Sequence, residues 1–236
     1  MTPATDRWSE WVLEKRCGGD DQAAAEGMRL LHRVRDRVLD SACVGESQTL
    51  LDVGAGDGLI AFGALDRVGA SGRVIFADVS QPLLDHTRSL AEQMGVAARC
   101  TFVLAAADDL APVADQSVHA VTTRSVLIYV RDKAAAFHEF HRVLTPGGRV
   151  SLWEPINRFN ETYAPGPFWG SGVEGIEDLT QRLTDFYQAL QPLAAIRCSI
   201  STSATCCAIA RRRAFSISGS TWTSTSRAKN RDDGTR

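Results

Sequence analysis

Apolar residues fall into two alternating periods along the chain. Short solid runs at 49–53, 73–77, 100–104, 118–122 and 149–153 predict buried strands. A strand covered on both faces shows apolar side chains at consecutive positions. Between these runs, apolar positions recur every three or four residues over 59–68, 82–94 and 131–144, and again over 176–190. That is the spacing of one helix face. Two more helices precede the first strand. Trp8, Trp11, Val12 and Leu13 suggest a short amphipathic helix with Asp6 as its cap. Gly18 and Gly19 break it, and a second helix runs from Asp20 or Asp21 to about Ala42. Strands alternating with helices predict βαβ units and an α/β class.

The turn after the first strand brings in chemistry. The run 49–53 feeds Gly54, Gly56 and Gly58, glycines at every second position, and then the helix 59–68. Glycine reaches positive φ and has no Cβ, so the backbone of such a turn can approach a ligand closely. The spacing is G-x-G-x-G, with Leu59 where a dinucleotide-binding turn has its last glycine. A tight strand-to-helix turn needs no ligand, so the glycines alone decide little. Asp78 changes the picture. It ends the second run at the distance a βαβ unit requires, where a carboxylate can accept from both hydroxyls of a ribose. Taken alone, Asp78 would serve equally as an N-terminal residue of the helix behind Ser80.

In their order, Leu50 to Gly58, Asp78 and Leu144-Thr145-Pro146-Gly147-Gly148 resemble the class I S-adenosylmethionine-dependent methyltransferases. The variety is the small-molecule type similar to ubiquinone/menaquinone-biosynthesis methyltransferases, and the resemblance covers about 20–155. It implies a Rossmann-like, doubly wound, mostly parallel sheet with helices on both faces. It also implies S-adenosyl-L-methionine as cofactor and methyl transfer to a small-molecule acceptor. On this resemblance Asp52, Gly54, Ala55, Gly56 and Gly58 meet the methionine end, Asp78 and Val79 the ribose, and Ala107 and Asp108 the adenine. Arg124, where the chain leaves the fourth strand, would hold the methionine carboxylate or a substrate anion; its other reading is a surface ion pair. The Trp8/Trp11 segment would either cover the cofactor or simply pack on the sheet edge. Two positions depart from the family pattern: Ala106 stands where a polar Asp or Asn is common, and His119 where Asp is usual. No residue stands out as general base, so the catalytic residues are unassigned, with Glu154, His119 and Tyr129 as candidates. Two alternatives stay open: a non-catalytic binding protein on the same fold, and a nicotinamide-dependent oxidoreductase, which the glycine spacing disfavours.

Composition narrows the setting. The 236 residues suffice for one α/β domain with a sizeable core. No apolar run nears the roughly 20 residues of a membrane helix. The first eight residues lack a signal-peptide apolar region. A cytoplasmic protein without membrane association is therefore expected. Cysteines at 17, 43, 100, 198, 206 and 207 match no zinc spacing. His138 and His141 share a helix without a third ligand on it, so no metal is expected. The net charge of −2 hides an asymmetry. Residues 197–236 hold eight Lys/Arg against two Asp, leaving 18 basic and 26 acidic residues before them. An acidic body offers no general nucleic-acid surface, so no nucleic-acid partner is expected. The sequence carries no signal for the oligomeric state or the acceptor atom.

Beyond about Ala195 the pattern stops. No Leu follows Leu193 and no Val follows Val173, while Ser and Thr make up 14 of residues 197–236. A disordered basic tail or an anchor for an anionic surface would read this way. A reading-frame shift accounts for more. With GC-rich codons for 196–215, the neighbouring frame spells an acidic helix start, a Leu-Leu pair and Ala-Ala-Gly-Phe, a string that members of the resembling family often carry before their sixth strand. The expected division is 1–45 for the N-terminal helices and possible lid, 46–195 for the S-adenosylmethionine-binding domain, and 196–236 for an aberrant or disordered tail. Under that reading the C-terminal strands are missing or aberrant. Sequencing the gene across codons 190–236 decides the matter, and an unshifted frame with other codons sinks it.

Overall fold

The computed structural model describes residues 6–16 and 21–154, a few positions between 175 and 182, and two strands, Phe215–Ser218 and Thr221–Ser224. The helix expected over 176–190 lies almost wholly outside the described residues, as do Cys17, Cys198, Cys206 and Cys207. Five parallel strands carry the fold: β1 (Thr49–Val53), β2 (Arg73–Asp78), β3 (Cys100–Leu104), β4 (Val118–Arg124) and β5 (Leu144–Trp153). The other two are β6 (Phe215–Ser218) and β7 (Thr221–Ser224), and the sheet runs β3-β2-β1-β4-β5-β7-β6. β7 is antiparallel to both β5 and β6. These two four-residue strands arise in the stretch where the sequence shows no strand period.

The helices are α1 (Arg7–Ser9), which continues as a π-helix over Glu10–Lys15, then α2 (Asp21–Ala42), α3 (Leu59–Val68), α4 (Gln81–Gln93) and α5 (Lys133–Val143). They cover both faces, which explains the solid apolar runs. Adjacent Leu50 and Leu51 are both fully buried, but in different cores. Leu50, Val74 and Phe76 pack with Val38, Ala61 and Leu84 from α2, α3 and α4. Leu51, Val53 and Val121 pack with Phe137 and Phe140 from α5.

Two elements start at least two residues from where they are expected. α5 starts at Lys133, because Asp132 takes the cap and its carboxylate accepts from Ala135 N at 2.9 Å. β5 starts at Leu144 instead of 149: Leu144 already pairs with Val118, and the register then shifts so that Ala120 faces Arg149. Thr145 to Gly148 is thus an irregularity inside the strand, with Gly147 at φ +82°. β1 sits between β2 and β4, where the strand order reverses. In such a sheet the ligand crevice lies beyond the carboxyl ends at this switch point.

Candidate active site

A cavity of about 570 Å³ lies there, lined from the carboxyl ends of β1, β2 and β4. The β1–α3 turn forms one wall. Gly54 N and Ala55 N both donate to Ala77 O, at 2.8 and 3.0 Å, and this folds the turn over the end of β2. Gly54 and Gly56 have φ of +69° and +57°. A Cβ at Gly54 would collide with the Val126 side chain, whereas one at Gly56 would meet nothing closer than Gly54 O at 4.0 Å. Gly58 is placed differently from Gly54 and Gly56. It does not line the cavity; at φ +82° it begins α3, and a Cβ there would come within 2.5 Å of the Phe62 ring.

Asp78 is held in place by backbone. Its Oδ2 accepts from Gly56 N at 2.8 Å and its Oδ1 from Ser80 N at 2.9 Å. It is only 6 % exposed, and this burial pushes its carboxyl above the usual range. Val79 beside it lines the cavity. Asp52 is more enclosed still. Thr122 Oγ1 donates to its Oδ1 at 2.7 Å, and burial raises its pKa from 3.8 to about 7, although Thr122 and the charge of Arg124 pull it back. Arg124 lines the cavity with Ala55; its backbone pairs with Trp153 in the sheet, and its charge acts on Asp52. Ala106, Ala107 and Asp108 form the opposite wall. Their loop is fixed at the front by Ala105 N donating to Asp78 O at 3.0 Å. Behind it, Leu110 N donates to Glu139 Oε2 at 2.8 Å and Arg142 Nη2 donates to Leu110 O at 2.9 Å.

The N-terminal segment lines the cavity with Trp8, Trp11, Val12 and Arg16. Asp6 caps it, accepting from Trp8 N and Ser9 N, both at 2.9 Å. Burial opposes the charge on Asp6, but the Ser80 hydroxyl and these N–H groups hold its carboxyl below the usual range. Trp8 meets Tyr129 edge-on with ring centroids 4.7 Å apart, and Arg16 forms an ion pair with Asp57 of the glycine turn. The aromatic pattern pointed to this segment. Arg16 and Asp57 carried no local signal, because their partnership spans 41 residues.

Two of the three candidate bases are otherwise engaged. His119 lies at the far end of the sheet, where its Nδ1 accepts from Thr49 N at 3.1 Å. Glu154 is buried, which raises its pKa, and it does not line the cavity. Its Oε1 accepts from Thr123 Oγ1 at 2.9 Å and Val126 N at 3.0 Å. Tyr129 does line the cavity and is 61 % exposed. Among the described residues there is no group of three metal-ligating side chains, and no helix is long and apolar enough to cross a membrane.

The raised pKa of Asp52 carries a stability consequence. Between the unfolded value of 3.8 and about 7 the folded chain keeps a proton that the unfolded chain has released. Stability from this group is therefore greatest below pH 4 and is lost as pH rises towards 7. Asp52→Asn, which keeps an acceptor for Thr122, is expected to stabilise the chain above pH 7 by up to about 4 kcal/mol. Below pH 4 it is expected to have little effect. Thermal melts of both proteins at pH 4 and pH 8 check this; an equal shift at both would contradict it.

A doubly wound sheet whose switch-point cavity joins a glycine turn to a backbone-held carboxylate is built as a nucleotide-type ligand site. The comparisons narrow this. Residues 50–148 match a family described as a methyltransferase domain. The ubiquinone/menaquinone biosynthesis C-methyltransferase UbiE of Klebsiella pneumoniae is 31 % identical over 142 residues, which cover 57 % of this chain and 56 % of that protein. That of Psychromonas ingrahamii is 30 % identical over the same extent. The chain thus spans little more than half the length of the curated relatives it matches. Among solved structures, geranyl diphosphate C-methyltransferase from Streptomyces coelicolor superposes with a TM-score of 0.58 at 18 % identity, covering 90 % of this chain and 64 % of that one. The YcgJ protein of Bacillus subtilis gives 0.57 at 19 %, covering 78 % and 69 %. Over residues 50–148 the chain is thus similar to methyltransferase domains, and it shares their fold.

Proposed function

We propose that this chain transfers the methyl group of S-adenosylmethionine to a small-molecule acceptor. The observation that carries the reading is Asp78. The N–H groups of Gly56, Ser80 and Val79 favour its charged form, its carboxylate retains acceptor capacity for ribose hydroxyls, and the residue lines the cavity. Two further features fit the cofactor. Gly56 leaves open space over the turn, and Arg124 brings a guanidinium to the cavity wall. In this reading Asp52, Gly54, Ala55 and Gly56 hold the methionine end and Arg124 its carboxylate. Asp78 and Val79 hold the ribose, and Ala107 N–H and Asp108 the adenine. Gly58 acts by starting the helix behind the turn.

The cofactor supplies an electrophilic methyl carbon on sulfur, so the transfer is a direct displacement. The chain's own residues orient the two reactants and exclude water. Trp8, Trp11 and Val12 supply the dry cover, with Tyr129 beside them. A base is needed only for an acceptor that arrives protonated. One cavity of about 570 Å³ must take cofactor and acceptor together, which supports a small molecule. The names of the curated relatives support a carbon acceptor on a quinone precursor as the first class to screen. The −8 charge of residues 1–196 supports a protein that works without nucleic acid. For residues 196–236 a reading-frame shift remains our account.

Calorimetric titration of the purified chain with S-adenosylhomocysteine is expected to show saturable binding at one site. Incubation with methyl-labelled S-adenosylmethionine and candidate acceptors should then move the label into a small molecule. A folded chain that binds no S-adenosylhomocysteine overturns the reading.

A further inference from the structure

The last β5 residue pair ends at Trp153, and the next side chain, Glu154, is a buried carboxylate that the cofactor contacts do not use. Its surroundings are specific. Oε1 accepts from Thr123 Oγ1 at 2.9 Å and from Val126 N at 3.0 Å, and the N–H groups of Leu127 and Ile128 also favour its charged form. Oε2 is buried without a hydrogen-bond partner among the described residues. Three successive backbone N–H groups thus converge on one carboxylate, an arrangement that fixes a turn as an anion fixes a helix start. The turn it fixes leaves β4. Ser125 there adopts φ +57°, a conformation a non-glycine residue keeps only when its surroundings enforce it. Ser125 N donates to Trp153 O at 2.9 Å, and Tyr129 N donates to Val126 O at 2.9 Å.

This turn carries three parts of the cavity. Arg124 precedes it and lines the wall. The Val126 side chain fills the space where a Gly54 Cβ would stand, so its position sets that of the glycine turn. Tyr129 ends it and receives the edge of Trp8. We infer that Glu154 is a positioning residue: its carboxylate braces the turn after β4 and so sets the place of Arg124, Val126 and Tyr129 around the cofactor. The inference rests on the proposed function, in that its effect is read through cofactor binding. It assigns Glu154 no contact with either reactant.

The test uses the full chain as wild type, Glu154→Ala, Glu154→Asp and Glu154→Gln. Glutamine keeps a carbonyl oxygen for Thr123 and Val126, while aspartate withdraws the carboxylate by one methylene and keeps its charge. Hydrogen exchange of the Val126 amide, read without ligand, is expected to quicken in Glu154→Ala and Glu154→Asp but not in Glu154→Gln. The dissociation constant for S-adenosylhomocysteine is expected to rise about tenfold in the same two variants and to stay within about threefold in Glu154→Gln. Should Glu154→Ala not fold, Glu154→Asp carries the comparison. Unchanged exchange at Val126, or quickened exchange with unchanged affinity, overturns the inference; the second outcome would leave Glu154 a role in stability alone. A wild type that binds no S-adenosylhomocysteine defeats the proposed function instead, and the exchange arm then tests the brace by itself.

Discussion

Asp78→Ala is expected to weaken S-adenosylhomocysteine binding by at least about a hundredfold. A carboxylate that accepts from two ribose hydroxyls makes two charge-assisted hydrogen bonds, each contributing about 1.5–3 kcal/mol, and their joint loss exceeds the ~2.7 kcal/mol of a hundredfold change. The change in the free protein should be much smaller. Alanine releases Gly56 N and Ser80 N, which lose partners at 2.8 and 2.9 Å. It also removes a carboxyl whose burial works against its charge, and this offsets part of that loss. Melting should therefore fall by only a few degrees. Asp78→Asn separates the contributions. Its carbonyl can replace one oxygen, but each oxygen accepts from a backbone N–H, so the NH₂ must face that of Gly56 or Ser80, donor against donor, and binding should fall nearly as far as with alanine. Titration beside a thermal melt reads both quantities. A folded Asp78→Ala protein that binds like wild type would remove the ribose assignment and, with it, the main support for the proposed function.

The parts of the molecule that were legible in the sequence are those fixed by short-range patterns. β1, α3 and β3 have the boundaries that apolar periodicity indicates, since a strand buried on two faces and a helix buried on one leave different spacings. The glycine turn and Asp78 could be placed because a βαβ unit brings them together by construction, and Gly56 N indeed meets Asp78 at 2.8 Å. What was missed depends on tertiary contact. Gly58 looks like its neighbours in the motif, yet the rings of Phe62 and Phe76 behind it make it a packing glycine. Glu154 and His119 are ionisable residues near strand termini. Only the fold shows that Thr123 and Val126 occupy the first, and that Thr49 occupies the second at the opposite end of the sheet. Arg16 meets Asp57, and Trp8 meets Tyr129, across separations where no local period operates. Thr145 to Gly148 reads as a plain turn, and only the pairing of Leu144 with Val118 shows the strand already under way.

The two glycines of the turn are expected to fail in opposite ways when each is changed to alanine. Both sit at positive φ, +69° at Gly54 and +57° at Gly56, so each substitution carries about 1 kcal/mol of backbone strain. They differ in what the new methyl group meets. At Gly54 it overlaps Val126, which the Glu154 carboxylate holds through its backbone N–H at 3.0 Å and which cannot retreat without disturbing the turn after β4. Overpacking of this kind adds about 1–3 kcal/mol, so Gly54→Ala should melt roughly 5–10 °C below wild type. At Gly56 the methyl group stands in open space on a residue that lines the cavity. Gly56→Ala should melt only about 2–4 °C below wild type, yet lose S-adenosylhomocysteine affinity by about a hundredfold or more, because the methyl group fills space the methionine end requires. Melts and titrations of the two variants side by side measure the contrast. Wild-type affinity in Gly56→Ala would move the cofactor's methionine end away from this turn. Equal melting losses in both variants would mean that Val126 yields easily, and that the wall behind Gly54 is softer than its packing indicates.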